Sequence, residues 1–255
     1  MRKDFPTFNP LNNLHGKPIV YLDSACMSLK PKQVIDALQS YYQNPACAGR
    51  SHHALSSMMD ERVQASRRSI AEFFSLKQQD VIFTKNGTEA LNLVAHAFPF
   101  KKGDKVITLD KEHNSNLLPW QQLVKTKGII HDIVATGKDS TFDMDAFRKK
   151  LRGTRMISFG HSSNLDGVSI PAQEIVREAH DAGAKVMFDG IQFAPHHALN
   201  LKALGADYYA VSFHKVLGPT GLGALLAQED ARAQLGSFIV GGGTVDDSTF
   251  TTANY

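Results

Sequence analysis

Residues 211–227, VSFHKVLGPTGLGALLA, decide how this chain is read. An apolar run ends at Ser212 and the pair His214–Lys215 follows. Gly218, Pro219, Gly221 and Gly223 then lead into a second apolar run. Glycine and proline at that density mark a tight turn between two buried strands. A lysine at the mouth of such a turn is either a solvated loop residue or a reactive amine, since burial or cationic neighbours lower a lysine's pKa and make it a natural Schiff-base former. The turn is not a nucleotide-binding loop. Lys215 precedes the glycines instead of following them, and GPTGLG lacks the GxGxxG spacing.

Outward from the turn, apolar runs alternate with amphipathic stretches from about residue 57 onward. DVIFT (80–84), DKVITLD (104–110), IIHDIVA (129–135), TRMISFG (154–160), AKVMFDG (184–190), ADYYAVSF (206–213) and GALLA (223–227) read as strands. Helical patterns fall at 89–98, near 117–126, at 143–151 and in PAQEIVREAHDAG, with Pro171 near its start and Gly183 at its C-terminal cap. This alternation predicts an α/β fold, a mostly parallel sheet with helices on both faces. Ligands of such sheets sit beyond the carboxyl ends of the strands, so the residues just after each strand carry the functional information.

The bulk properties narrow the function classes. The 255 residues, 42% hydrophobic and 21% charged, suffice for one large domain or one domain with an appendage. A net charge of +3 without long runs of like charge argues against nucleic acid and suits a small anionic ligand. The N-terminal MRKDFPTFNPLNNLHGKP lacks the apolar core of a signal peptide, and no apolar run approaches membrane-spanning length. Cys26 and Cys47 have no CxxC spacing, so a reducing cytoplasm is the expected location. The 11 histidines form no HExxH motif, and no metal site is expected.

Four clusters stand at strand ends. In TKNGTEALN (84–92), Gly87 permits close approach and Thr88 is placed to cap the next helix, whose free N–H groups suit a phosphate. Alone, this stretch reads first as a capped helix without ligand. In MFDGIQ (187–192), Asp189 ends a strand where it either caps a turn or meets a cation or protonated ring nitrogen. Ser212 and His214 offer hydrogen-bonding groups beside Lys215. His113 in KEHNSNLLPW (111–120) and Asn164 in GHSSNLDG (160–167) follow two further strands.

Taken together and in order, CAGRSHHALS, GTEALNLVA, EHNSNLLPW, SSNLDG, DGIQ and SFHKVLGPTGLG resemble the large domain of fold-type I pyridoxal-phosphate enzymes. More narrowly, the chain resembles the class V aminotransferases of the cysteine desulfurase and selenocysteine lyase branch, from VYLDSACMSLKP (20–31) through GGG (241–243). The resemblance implies that Lys215 holds pyridoxal 5′-phosphate covalently and then moves the substrate proton. Asp189 would pair with the pyridinium nitrogen, which makes the ring an electron sink. His113 would stack on the ring and act catalytically by relaying protons, and Gln192 and Asn164 would bond near its phenolic oxygen. Gly87, Thr88, Ser212 and His214 would hold the phosphate. Asn164, and Arg50 near the entrance, would serve the substrate carboxylate.

The same resemblance implies a cysteine desulfurase-like activity on an L-amino acid, converting cysteine to alanine with transfer of sulfur, in a homodimer that serves a sulfur-acceptor protein. Other class V activities (aminotransferase, epimerase or β-lyase) share these motifs, as would a PLP-binding protein completed by a separate C-terminal chain. The expected organisation is an N-terminal segment over 1–56, a PLP-binding large domain over 57–235, and the start of a connection over 236–255. The C-terminal small domain, with its substrate-binding arginine and sulfur-accepting cysteine, is expected to be absent. Neither Cys26 nor Cys47 occupies the position of that cysteine. Asn86-Gly87-Thr88 also departs from the branch's doubled threonine and offers one side-chain hydroxyl fewer.

Overall fold

Apolar residues on both sides of the strands require cover on both faces, and the computed structural model shows how that cover is arranged. It describes residues 1–255 apart from Arg50, Lys138, Gly243, Asp246 and Tyr255, so the expected role of Arg50 lies outside the described residues. After an N-terminal segment of short 3-10 turns come α1 (Lys32–Gln43) and α2 (Ala54–Phe73). Strands and helices then alternate: β1 (Val81–Thr84), α3 (Gly87–Ala97), β2 (Lys105–Leu109), α4 (Asn114–Lys127), β3 (Ile130–Val134), α5 (Met144–Leu151) and β4 (Thr154–Gly160). The series continues with α6 (Ala172–Asp181), β5 (Lys185–Asp189), α7 (Leu201–Leu204), β6 (Tyr208–Ser212), β7 (Gly223–Ala227) and α8 (Glu229–Arg232). A two-stranded ribbon, Asp247–Ser248 with Ala253–Asn254, lies near the end.

The seven strands form one sheet in the order β1-β7-β6-β5-β4-β2-β3. Alternate residues of each strand enter different cores, as the pleat demands. Val106, Met156, Met187, Tyr208 and Leu225 pack with α3 and α4 residues such as Leu91, Val94, Trp120 and Leu123. Ile107, Ile157, Val186, Phe188, Tyr209 and Val211 pack on the other face with Phe147 of α5 and Ile175 of α6. Both faces are therefore dry, which explains the nearly unbroken apolar runs. Among the described residues no helix is long and apolar enough to cross a membrane.

One strand runs against the others. β7 is antiparallel to both β1 and β6. The reason lies in the turn between β6 and β7. Residues 213–222 contain no α-helix, only the single 3-10 turn Phe213–Lys215, and without a crossover helix the chain can only return antiparallel. Phe213 N–H closes this return by donating to the Leu222 carbonyl (3.0 Å).

Register aligns the strand ends. Gly160 pairs with Asp189, and Asp189 with Ala210, so the carboxyl ends of β4, β5 and β6 lie side by side. Gly223 stands between Thr84 and Ser212, bringing the end of β1 to the same edge. Every strand-end cluster read from the sequence thus opens on one side of the sheet.

Candidate active site

A cavity of ~560 Å³ opens at that edge, within the size range of small-molecule sites. Lys215 stands on a 3-10 turn, Phe213–Lys215, that directly continues β6. Its Nζ donates to Gln192 Oε1 (2.8 Å). Burial lowers the amine's pKa from its usual range, and the Asp189 carboxylate counteracts part of that shift.

Asp189 ends β5 and is 7% exposed. Burial raises its pKa, against the Ile191 N–H and the nearby His113 and Lys215. Its Oδ1 accepts from Ile191 N–H (3.0 Å). Asp189 thus caps its turn, the first of the two roles open in the sequence, and it also lines the cavity.

The opposite wall offers donors. α3 starts at Gly87, and its N-cap is Asn86, whose side chain accepts from Glu89 N–H (2.8 Å). This corrects the expectation that Thr88 caps the helix. Thr88 lies one turn position inside and is free to bond laterally, and its Oγ1 meets Ser115 Oγ at 2.8 Å. Gly87 lies against the Ile191 side chain, which a larger residue would have to displace. A Cβ there would lie 2.1 Å from Ile191 Cδ1. Ser212 Oγ and His214 Nδ1 are 2.7 Å apart, and burial together with the charges of Lys215 and Lys30 pushes the His214 ring's pKa down.

His113 is the N-cap of α4 and accepts from Ser115 N–H through Nδ1 (3.1 Å), which orients its ring at the cavity wall. Asn164 lines the cavity from the loop after β4, beside an ion pair between Lys111 and Asp166 (2.7 Å). The cavity therefore gathers every described residue that sequence reading nominated: Gly87, Thr88, His113, Asn164, Asp189, Gln192, Ser212, His214 and Lys215.

Sequence reading missed three contributors. Ser115 places a hydroxyl beside Thr88, at the wall where Gly87 has none. The N-terminal segment reaches the cavity through Asp23, Ala25 and Cys26, across most of the chain's length. Glu112 accepts from Gly160 N–H (2.8 Å) and Asn116 Nδ2 (2.7 Å), joining the ends of β2 and β4 to α4. Burial pushes its carboxyl up to about 8, with the Asp189 charge adding to the effect. An acidic residue next to a nominated histidine was the available signal. Its burial was not visible, because its neighbour Gly160 is distant in sequence.

Residues 20–255 match the family model described as aminotransferase class-V. The chain belongs to the class-V aminotransferase family. A probable cysteine desulfurase of Synechocystis sp. is 36% identical over 256 residues, covering 98% of this chain and 60% of that protein. A probable cysteine desulfurase of Pyrococcus abyssi is 36% identical over 251 residues, covering 97% of this chain and 61% of that protein. The apo structure of a cysteine desulfurase from Thermococcus onnurineus matches with a TM-score of 0.92 at 35% identity, over 99% of this chain and 62% of that one. The chain thus spans about three fifths of the length of these relatives.

Class-V aminotransferases use pyridoxal 5′-phosphate. The donor set suits that group. Backbone N–H groups at the start of α3, with the hydroxyls of Thr88, Ser115 and Ser212, offer an anion site at one wall. A buried carboxylate and a depressed amine, Asp189 and Lys215, stand ready for a protonated ring nitrogen and an aldehyde carbon. As in other members of the class-V aminotransferase family, the fold is a mostly parallel α/β sheet flanked by helices.

Proposed function

We propose that this chain forms the cofactor-binding large domain, over residues 57–235, of a cysteine desulfurase-like enzyme that takes cysteine to alanine and passes on the sulfur. The observation that carries this reading is the meeting of Lys215, Gln192 and Asp189 in one cavity walled by the start of α3 and by His113. The naming of the relatives as cysteine desulfurases selects this activity among class-V reactions. We assign the working enzyme to the cytoplasm, as a homodimer that serves a sulfur-acceptor protein.

When bound, the cofactor supplies an electron sink for the substrate's α-carbon. Lys215 holds it through its amine, and the lowered pKa keeps that amine available as a base for the Cα proton. Asp189 would pair with the protonated ring nitrogen through a carboxylate that is only 7% exposed. His113 would cover a ring face, Gln192 and Asn164 would address the ring oxygen, and Asn164 would also serve the substrate carboxylate. Gly87, Thr88, Ser212 and His214 take the phosphate.

The test is an absorbance titration of the chain with PLP beside Lys215→Ala, followed by borohydride reduction and peptide mapping. The expected result is a visible band and a reduced adduct on Lys215, both absent from the variant. Cysteine is supplied to a separate, unreduced sample, with alanine and sulfide as the products read. An adduct elsewhere, or none, overturns the cofactor assignment. An adduct on Lys215 with turnover of another amino acid and none of cysteine overturns the substrate assignment.

A further inference from the structure

The turn that carries Lys215 is held from outside the sheet. The carbonyl of His214, the residue before Lys215, accepts three hydrogen bonds from the N-terminal segment: Ser28 N–H (3.0 Å), Ser28 Oγ–H (2.9 Å) and Lys30 Nζ–H (2.7 Å). Ser28 Oγ also accepts from Leu217 N–H (2.9 Å). Leu217 has φ +60°, in the left-handed region that costs a residue with a Cβ, and this bond helps to hold it there. Ser28 is 6% exposed, unlike most of the segment around it. Its hydroxyl thus fastens the turn on both sides of Lys215, from 186 residues away in sequence.

We infer that Ser28 and Lys30 are positioning residues for Lys215, and that the N-terminal segment is a working part of the site. The argument is geometric. The turn's own bonds run from Val216 N–H (3.0 Å) and Gly218 N–H (2.8 Å) to the Phe213 carbonyl, which leaves the His214 carbonyl, next to Lys215, to be held by the N-terminal segment. Charge assistance makes the Lys30 bond one of the stronger kind. With the His214 carbonyl fixed and Leu217 held, the Lys215 backbone between them is fixed, and its amine is directed at Gln192. Released, the turn lets the amine swing toward solvent. Both the reach of the amine and its burial are then lost.

The inference rests on the proposed role of Lys215, and the experiment keeps the two separable. Ser28→Ala, Lys30→Met and Lys30→Arg are compared with the unsubstituted chain in two measurements. The first is the pH dependence of Lys215 labelling by trinitrobenzenesulfonate without cofactor, read by mass spectrometry of the Lys215 peptide. The second is the rate at which PLP becomes borohydride-trappable on Lys215. Ser28→Ala and Lys30→Met are expected to shift the labelling midpoint upward and to slow PLP attachment by at least about tenfold. Lys30→Arg is expected to restore most of both, because it keeps a charged donor. Ser28→Ala changes no charge, so its shift reports position and not electrostatics. Should Ser28→Ala fail to fold, the two Lys30 variants decide the matter. Midpoints and rates equal to those of the unsubstituted chain overturn the inference. A failure of the unsubstituted chain to take PLP overturns the cofactor assignment alone, while the labelling arm still decides the role of Ser28 and Lys30.

Discussion

Lys215 Nζ and Gln192 Oε1 are 2.8 Å apart, although one side chain comes from the turn after β6 and the other from the turn after β5. The bond gives the amine a neutral acceptor. Asp189 supplies the nearby negative charge without an ion-pair contact. A neutral acceptor leaves the amine free to lose its proton, which a direct carboxylate contact would oppose.

Replacing Asp189 by Asn separates these influences. The Ile191 N–H keeps an oxygen acceptor, so the turn should persist. Lys215 loses the charge that raises its pKa while the burial that lowers it remains. The labelling midpoint of Lys215 is therefore expected to move to lower pH in Asp189→Asn. An unchanged midpoint would show that the two groups do not interact.

Glu112 makes stability depend on pH in a defined direction. Its carboxyl titrates at about 8 in the folded chain, against an ordinary value near 4.5. Between those values the folded state holds a proton that the unfolded state has released, so ionisation penalises the fold as pH rises. The slope has a ceiling of about 1.4 kcal/mol per pH unit. Thermal melts from pH 5 to 8 should show the unsubstituted chain losing stability relative to Glu112→Gln. Parallel melting curves across that window would place Glu112 among ordinary carboxylates.

Thr88 and Ser115 tie the starts of α3 and α4 together through their hydroxyls. Ser115→Ala removes one donor from the wall assigned to phosphate. Isothermal titration with PLP is expected to show affinity weaker by about three- to tenfold, the range for one hydrogen bond. Ser115→Thr should keep the hydroxyl and most of the affinity. Equal affinity in all three proteins would remove Ser115 from the site.

Gly190 is the packing test. A Cβ at this position would fall 1.8 Å from Cε1 of Tyr209, a buried ring whose hydroxyl meets His161 Nδ1 at 2.9 Å. Neither partner has room to yield. Gly190→Ala is expected to destabilise the chain by about 1–3 kcal/mol in urea unfolding, the usual cost of overpacking. A melt indistinguishable from that of the unsubstituted chain would show that the β5 turn adapts.

The sequence by itself determined the local elements and the set of residues that meet at the strand ends. Burial on both faces left nearly continuous apolar runs, as at residues 184–190 and 206–213, and Gly190 marked where the first of these stopped. Ligands of parallel sheets gather at one edge, so Asp189, Gln192, Ser212 and Lys215 could be named before any contact was known.

Tertiary structure decided the rest. The antiparallel course of β7 depends on the lack of a crossover α-helix between residues 213 and 222 and on the places left beside β1 and β6. The burial of Glu112 depends on Gly160, and the hold on Lys215 depends on Ser28 and Lys30. Periodicity reports which side of an element faces a core. It carries no record of which distant polar group will arrive there. That is settled only when the whole chain packs, because each buried donor and acceptor must then find a partner among the groups brought within reach.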